Sequence, residues 1–280
     1  DTAGAGIGAI DGKFIKDSFI RNCIIDKALN TGIIIKNSFN ITIDNNKLSN
    51  NAKYGIDFFS DVFYSFILNN ECNAGINAGI IVSGGSDNNT IIGNDCNENG
   101  ISGIAILSSN NVISGNQTNR NKKRGIDLSG NKNSVINNVV NDTYYDDVDD
   151  TGDAHGIKIT GSKNTIMGNI CTGNRVINFL ADDQAFGIAV ISSNDNIISG
   201  NICDDNVAIG QGKDGTGIRI DNGDNNIITG NKCINNSKYG IFVDSLSDKN
   251  MVIGNMAKGN TTLQILNSGT NTEVSHNIIT

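Results

Sequence analysis

The residues best suited to chemistry in this 280-residue chain gather between positions 127 and 221. This stretch includes His155, the only histidine outside the last few residues, and the cations Lys158 and Arg219. Histidine is the side chain most often used for proton transfer near neutral pH, and cations orient or neutralise anionic groups. We therefore expect these three residues to position a substrate or to assist proton transfer.

Aspartates around this histidine offer a second chemistry. Hydrolysis of a glycosidic bond needs two carboxyl groups, about 5 Å apart for retention of configuration or about 6.5–9.5 Å apart for inversion. We predict that Asp182 or Asp183 is catalytic, with Asp153, Asp127 or Asp214 as its partner. An ordinary solvated surface is the alternative interpretation of the same residues. The predicted substrate-binding residues are Asp127, Tyr144, Tyr145, Asp214 and Asp221.

One acidic loop matches the first half of a calcium-binding loop. Asp147, Asp149 and Thr151 would supply oxygen ligands, and Gly152 follows where such a loop turns sharply. The acidic residue expected at the twelfth position is absent, because Lys158 occupies it. We therefore predict that no cofactor is required, and that Ca²⁺ could bind at these three residues. A plain acidic loop in water is the alternative.

A repeat of 22–24 residues carries these groups. The segment Gly79–Val82, followed by Asn89–Asn94, returns as Gly103–Ile106, followed by Asn111–Asn116. The apolar runs alternate with period two and are too short and too β-branched for helices. Stacked copies would pair their backbones as parallel strands and bury a continuous core. We therefore predict an all-β fold, a single parallel β-helix domain over residues 1–280 with about 10–11 rungs of three short strands each.

Two other columns of the repeat predict interior ladders. An asparagine recurs at the end of each second strand, as in Asn70 and Asn94, where it would adopt a left-handed turn and bond to its neighbours in the stack. Cysteine recurs two residues later, as in Cys72 and Cys96. Because stacked Cβ atoms are about 4.8 Å apart, farther than a disulfide prefers, we expect free thiols.

Three consecutive rungs are longer than the others, at 31, 31 and 30 residues. The extra residues fall at one corner, before the next Gly-Ile, within segments 141–155, 171–186 and 202–216. Repeat proteins often place their binding surface where such insertions stack. We predict that these loops form one wall of a cleft beside the first sheet. Tolerated growth of surface loops is the alternative.

The rung Gly-Ile-x-Ile … Asn-x-Ile-x-Gly-Asn resembles, over nearly the whole chain, that of right-handed parallel β-helix proteins of the pectate lyase-like superfamily. That group includes polysaccharide lyases, glycoside hydrolases, alginate epimerases and phage tailspike depolymerases. The resemblance implies a right-handed helix and a glycan substrate. Asp182-Asp183 looks like the paired aspartates of its pectin-hydrolysing members. Asp153-Ala154-His155 is similar to the Asp-Pro-His of alginate epimerases, although Asp150 stands where those enzymes carry tyrosine.

Taken together, these patterns predict that the protein binds and cleaves an extracellular polysaccharide, by glycoside hydrolysis in the first instance. A uronate lyase or epimerase with Ca²⁺ is one alternative. A glycan-binding or structural shaft without catalysis, such as a piece of a tail fibre or an adhesin, is another. The insertions favour an enzyme, because a spacer does not need them.

Bulk properties limit the partners. The net charge of −8 disfavours nucleic acid, which requires a basic surface, and no apolar run approaches the length of a membrane span. We expect a polysaccharide partner and a secreted, extracellular or virion-associated location. Uncapped strand edges at the ends suggest a flanking segment or an oligomer, and the resemblance to tailspikes favours a homotrimer.

Overall fold

The computed structural model is a parallel β-helix, and it describes residues 9–146, 152–176, 184–209 and 213–280. Each strand pairs in parallel with the equivalent strand one rung away. Ile104, for example, is in register with Ile80 on one side and Ile126 on the other. The described residues include no helix, and therefore none that is long and apolar enough to cross a membrane.

The first sheet carries the Gly-Ile-x-Ile segments, and the second sheet follows the turn after them. The long strands β4 and β6 run through this turn and join the two sheets. The first sheet contains β1 (Ile10–Lys13), β4 (Ile33–Asp44), β6 (Tyr54–Phe63), β9 (Ala78–Val82), β11 (Ser102–Ile106), β13 (Arg124–Leu128), β17 (Ala154–Ile159), β21 (Gln184–Ile191), β24 (Asp214–Asp221), β27 (Tyr239–Val243) and β30 (Leu263–Asn267). The second contains β2 (Lys16–Arg21), β7 (Phe66–Leu68), β10 (Thr90–Ile92), β12 (Val112–Ser114), β14 (Ser134–Ile136), β18 (Thr165–Met167), β22 (Ile197–Ser199), β25 (Ile227–Thr229), β28 (Met251–Ile253) and β31 (Glu273–Ser275).

The remaining strands are shorter and lie on the third face and in the insertions. The third face contains β3 (Ile24–Asp26), β5 (Lys47–Ser49), β8 (Glu71–Asn73), β15 (Val139–Asn141), β19 (Ile170–Thr172), β26 (Lys232–Ile234), β29 (Met256–Lys258) and β32 (Ile278–Ile279). The insertions contribute β16 (Tyr144–Tyr145), β20 (Arg175–Val176) and β23 (Val207–Ala208), which pair into a sheet of their own.

A single apolar core runs along the helix axis. Each rung contributes two inward residues from the first sheet and one from the second, such as Ile80, Val82 and Ile91, all fully buried. The cysteine column also points inward, and its thiols are free, as expected. Because no rung could bury this surface alone, the stack derives its stability from contacts between rungs.

Asparagine ladders line the turns of the core. In the main ladder, each side-chain amide donates to the Oδ1 of the next asparagine at 2.9–3.0 Å. The left-handed torsion, however, falls on the residue before the ladder asparagine, for example Asn69 (φ 52°) and Gly93 (φ 68°). The predicted left-handed asparagines were therefore one position wrong. The ladder residue itself keeps its amide in the interior, where it satisfies backbone groups of two rungs.

The glycine that opens each rung breaks the alternation of the strand. A Cβ on Gly156 would lie 2.5 Å from the carbonyl oxygen of Gly187 and 2.9 Å from Nδ2 of Asn174, so this position faces the interior. Ile157 after it also faces the interior, and the residue before it, His155, therefore belongs to the outer face. This local break determines which side chains the first sheet presents to a ligand.

Candidate functional site

The outer face of the first sheet carries two columns of side chains in the long rungs. The first column is the residue before each glycine, in register from strand to strand: Arg124, His155, Phe186, Thr216 and Tyr239. The second column is the x of Gly-Ile-x-Ile: Asp127, Lys158, Ala189, Arg219 and Phe242. These two columns bring charged and aromatic side chains together in five successive rungs.

The insertions lengthen the strands that carry this face. Strands β17, β21 and β24 begin earlier than β11, relative to the glycine of the rung. This adds Gln184 and Asp214 to the outer face, and Asp153 lies directly before β17. Gln184 is in register with Asp214. Its backbone N–H donates to Oδ1 of Asp153 at 2.9 Å. The carboxyl groups of Asp153 and Asp214 are thus two rungs apart, with an amide side chain between them.

A second apolar cluster holds the insertions against these strands, and it corrects one prediction. Tyr145, expected to be an exposed aromatic that contacts substrate, is fully buried there. The short sheet of β16, β20 and β23 places its ring inward, within this apolar cluster. The other members of the cluster are Ala154, Val176, Ala185 and Ala208.

His155 is buried at the centre of the outer face. It is 3% exposed, and neither ring nitrogen has a hydrogen-bond partner in the described part of the chain. Its Nε2 lies 3.9 Å from Oδ2 of Asp153, and its ring packs 5.4 Å from that of Phe186. Burial, followed by the charges of Lys158 and Arg124, holds the pKa of His155 well below 6.5. The imidazole is therefore neutral at neutral pH, the form in which one ring nitrogen has a lone pair.

Lys158 is the cation beside this histidine that has no ion pair with any described residue. Arg124, one rung earlier, is already bound to Asp127 at 2.5 Å, whereas Lys158 forms no ion pair among the described residues. Burial, followed by the charge of Arg124, lowers the pKa of Lys158, and Asp127 and Asp153 oppose that change. An ammonium group with no committed partner is suited to neutralise an anionic group of a ligand.

Arg219 is fixed by its neighbours. Its guanidinium donates to Asp221 at 2.6 Å and also to Asp214. It lies 5.2 Å from the ring centre of Phe186 and 4.7 Å from that of Phe242. Arg219 thus forms part of a rigid platform, and the two aspartates, predicted to bind substrate, are occupied by it.

Several predicted residues fall outside the described part of the chain. They are Asp147, Asp149, Thr151, Asp182 and Asp183. The hydrolytic pair and the calcium loop therefore stay predictions. Within the described ranges, no cluster of histidine, cysteine, aspartate and glutamate could hold a metal ion. Tyr144 is described and half-buried on β16.

Sequence reasoning missed the column that precedes the glycine. The Gly-Ile-x-Ile pattern begins at the glycine, so Arg124, Phe186 and Tyr239 were not predicted to lie at the site. The signal was available: the residue before the glycine is Ala78 and Ser102 in two regular rungs and becomes Arg124, His155 and Phe186 in the next three.

Comparisons with known proteins agree with this architecture. The sequence model of the "Right handed beta helix region" matches residues 6–155 and 146–279. No curated protein matches the chain in sequence.

Solved structures similar to the chain share its fold at low sequence identity. The Azotobacter vinelandii mannuronan C-5 epimerase AlgE4 A-module superposes with a TM-score of 0.58 at 18% identity, and the match covers 95% of this chain and 64% of the module. Alginate lyase from Paenibacillus sp. str. FPU-7 gives 0.54 at 15% identity, covering 89% of this chain and 79% of the lyase. The Dettilon tailspike protein gives 0.54 at 16% identity, covering 95% of this chain and 54% of the tailspike.

This chain therefore spans less than two thirds of the epimerase module and of the tailspike. The two segments of this chain that match the family model together cover nearly the whole chain. The strands, their parallel register and the interior ladders described above fit that match. The chain belongs to the right-handed parallel β-helix family.

Proposed function

We propose that this protein acts on the uronate units of an acidic polysaccharide, as a lyase or C5 epimerase. The observation that carries the proposal is the buried, neutral imidazole of His155 beside the ammonium group of Lys158. Among the described residues the imidazole has no hydrogen-bond partner and Lys158 has no ion pair. A buried polar group without a partner is costly, and such groups concentrate at functional sites.

The chemistry follows from these two groups. Neutral His155 takes the proton from C5 of the uronate, and the electron pair of the C–H bond moves into the adjacent carboxylate as an enediolate. Lys158 stabilises the negative charge that develops there. In an epimerase a proton returns to C5 from the opposite face. In a lyase the bond between C4 and the glycosidic oxygen breaks, a C4–C5 double bond forms, and the departing oxygen takes up a proton.

Glycoside hydrolysis has less support than this route. Hydrolysis needs a second carboxyl group beside Asp153. Among the described residues the two predicted partners are already in ion pairs, Asp214 with Arg219 and Asp127 with Arg124. The cations nearest His155 favour an anionic polymer. The similar solved structures include, by their titles, a mannuronan C-5 epimerase and an alginate lyase, so polymannuronate is the first substrate to test.

The test is a pair of assays on the same polyuronates. Release of unsaturated ends reports a lyase, and a change of the C5 configuration seen by NMR reports an epimerase. We expect His155→Gln to lose about 10²-fold or more of whichever rate is found, while polymer binding persists. Ser102→Ala, in the same column of a regular rung, should keep the rate. The proposal fails if no polyuronate reacts, or if His155→Gln is as active as the wild type.

The predictions of location, oligomeric state and calcium binding accompany this proposal, and the fold does not test them. An exported or virion-associated location suits a polysaccharide substrate, and the homotrimer stays a prediction. A calcium requirement would be seen as a loss of rate in chelator that added Ca²⁺ restores, with the loop at Asp147, Asp149 and Thr151 as the expected site.

A further inference from the structure

A second buried titratable group, the carboxyl group of Asp57, lies on the same outer face, closer to the N-terminal end of the molecule. Asp57 occupies the x position of its rung, in register with Ile34 on one side and Ile81 on the other. It is 3% exposed, and its Oδ1 is buried without a hydrogen-bond partner. The fold itself does not require an acid here, because isoleucine occupies the equivalent position in the rungs on either side.

The groups around Asp57 leave it unpaired. Lys36 is 3.5 Å from Asp11 and 5.7 Å from the ring centre of Phe59, and Lys53 is 5.0 Å from the ring centre of Tyr54. Neither lysine bonds to Asp57 in the described structure. Burial raises the pKa of Asp57 to about 7, although the charges of Lys53 and Lys36 oppose the rise.

The backbone is also irregular beside this residue. The register between β4 and β6 shifts after Ile35, so that Lys36 pairs with Ser60 and Phe59 is an extra residue in its strand. A β-bulge of this kind re-aims side chains and occurs often next to binding sites. Here it places a half-exposed phenylalanine ring next to a buried acid, with a lysine above that ring.

We infer that Asp57, with Lys36 and Lys53, forms a second binding site that takes the carboxylate of another uronate unit of the polymer. When Asp57 is protonated, its hydroxyl can donate one hydrogen bond to that carboxylate, and the two lysines balance the negative charge. When Asp57 ionises, the same geometry opposes two carboxylates. The inference takes the class of ligand from the proposed function but does not depend on catalysis.

The position of this site suits an extended polymer. Four rung steps along the x column separate Asp57 from Lys158, about 19 Å at the spacing of β-strands. In the two rungs that follow Asp57 the outer residues are small or apolar and carry no charge: Ala78, Ile81, Ser102 and Ala105. The ion pair of Arg124 and Asp127 occupies the rung before Lys158. A chain that lies along the sheet would therefore meet Asp57 at one end, then two uncharged rungs, and then the charged groups beside Lys158.

The experiment measures binding of polymannuronate to the full chain by calorimetry at about pH 6 and about pH 8. We expect the wild type to bind about tenfold more weakly at the higher pH, as one ionising carboxyl predicts. Asp57→Asn, which keeps the shape and a donor, should lose this pH dependence. Asp61→Asn removes an exposed acid of the same rung and should retain it.

Other outcomes would overturn the inference. It fails if Asp57→Asn and the wild type share one pH profile, or if a neutral glucan binds as well as the polyuronate. Short oligouronates that cannot span both regions should lose less affinity in Asp57→Asn than the polymer does. The two proposals can fail separately: loss of catalysis with proton-linked binding intact contradicts only the proposed reaction, and catalysis with an unaffected Asp57→Asn contradicts only this site.

Discussion

The regular rungs from Gly79 to Asn116 and the extended rungs from Gly125 to Asp221 share one interior and differ on their outer face. In both regions isoleucines and ladder asparagines fill the core in the same register. Outside, Ser102 and Ala105 give way to larger groups such as His155 and Lys158. The comparison teaches that the interior fixes the spacing of outer side chains without fixing their chemistry, so that function is added to a scaffold that hardly changes.

The largest expected effect tests the shared interior. Asn169→Ala in an extended rung removes hydrogen bonds to Asn138, Val135 and Asn201, and it leaves buried polar groups unpaired. We expect a loss of about 3–5 kcal/mol in the free energy of unfolding, measured with urea. Asn94→Ala in a regular rung should cost the same within about 1 kcal/mol. A much smaller cost in either region would mean that the two interiors are not equivalent.

The next effect concerns Asp57, whose carboxyl ionises near 3.8 when unfolded and at about 7 when folded. Between these values the folded protein holds a proton that the unfolded chain has released, so the stability of the fold declines as the pH rises toward 7. We expect Asp57→Ile to be more stable than the wild type at about pH 8, by up to about 4 kcal/mol, and nearly equal to it at about pH 4. Urea unfolding at both pH values measures this. Equal stability at the higher pH would show that the acid is not costly.

His155 should make stability change with pH in the opposite direction. Its pKa is lowered in the fold, so below about pH 6.5 the unfolded chain binds a proton that the folded protein does not. Stability should then fall by about 1.4 kcal/mol per pH unit on acidification. His155→Phe, which places the residue of the next rung at this position, should remove that component. His276→Gln, at an exposed site, is the control and should leave it in place.

The smallest effect converts one rung into the other type. Arg124→Ser with Asp127→Ala gives β13 the outer residues of β11. Because the lost ion pair is partly exposed, the change in stability should stay below about 1 kcal/mol. The pKa of His155, followed by NMR titration, should rise because the charge of Arg124 no longer opposes protonation. A large loss of stability would show that the outer face contributes to the fold after all.

The interior could be predicted from the sequence, because every rung repeats the same pattern of buried residues. A column that accepts only isoleucine and valine, such as Ile91, Ile113 and Val135, has one physical explanation, and so does the recurring asparagine. The outer face could not be predicted as well. Arg124 was missed because the inward glycine shifts the alternation by one residue. Tyr145 was predicted to contact substrate, because the insertions do not repeat and their sequence therefore gives no indication that they form an apolar cluster of their own.

The hydrogen-bonded ladders of asparagine also bear on how such a molecule changes over evolutionary time. Each ladder bond joins one rung to an equivalent partner, so a whole rung can be duplicated or deleted without leaving an amide unsatisfied in the interior. Partial duplications would break the ladders and be eliminated. The separation between Asp57 and Lys158 can therefore lengthen or shorten only by complete turns, which would adjust the length of polymer recognised in whole-number steps.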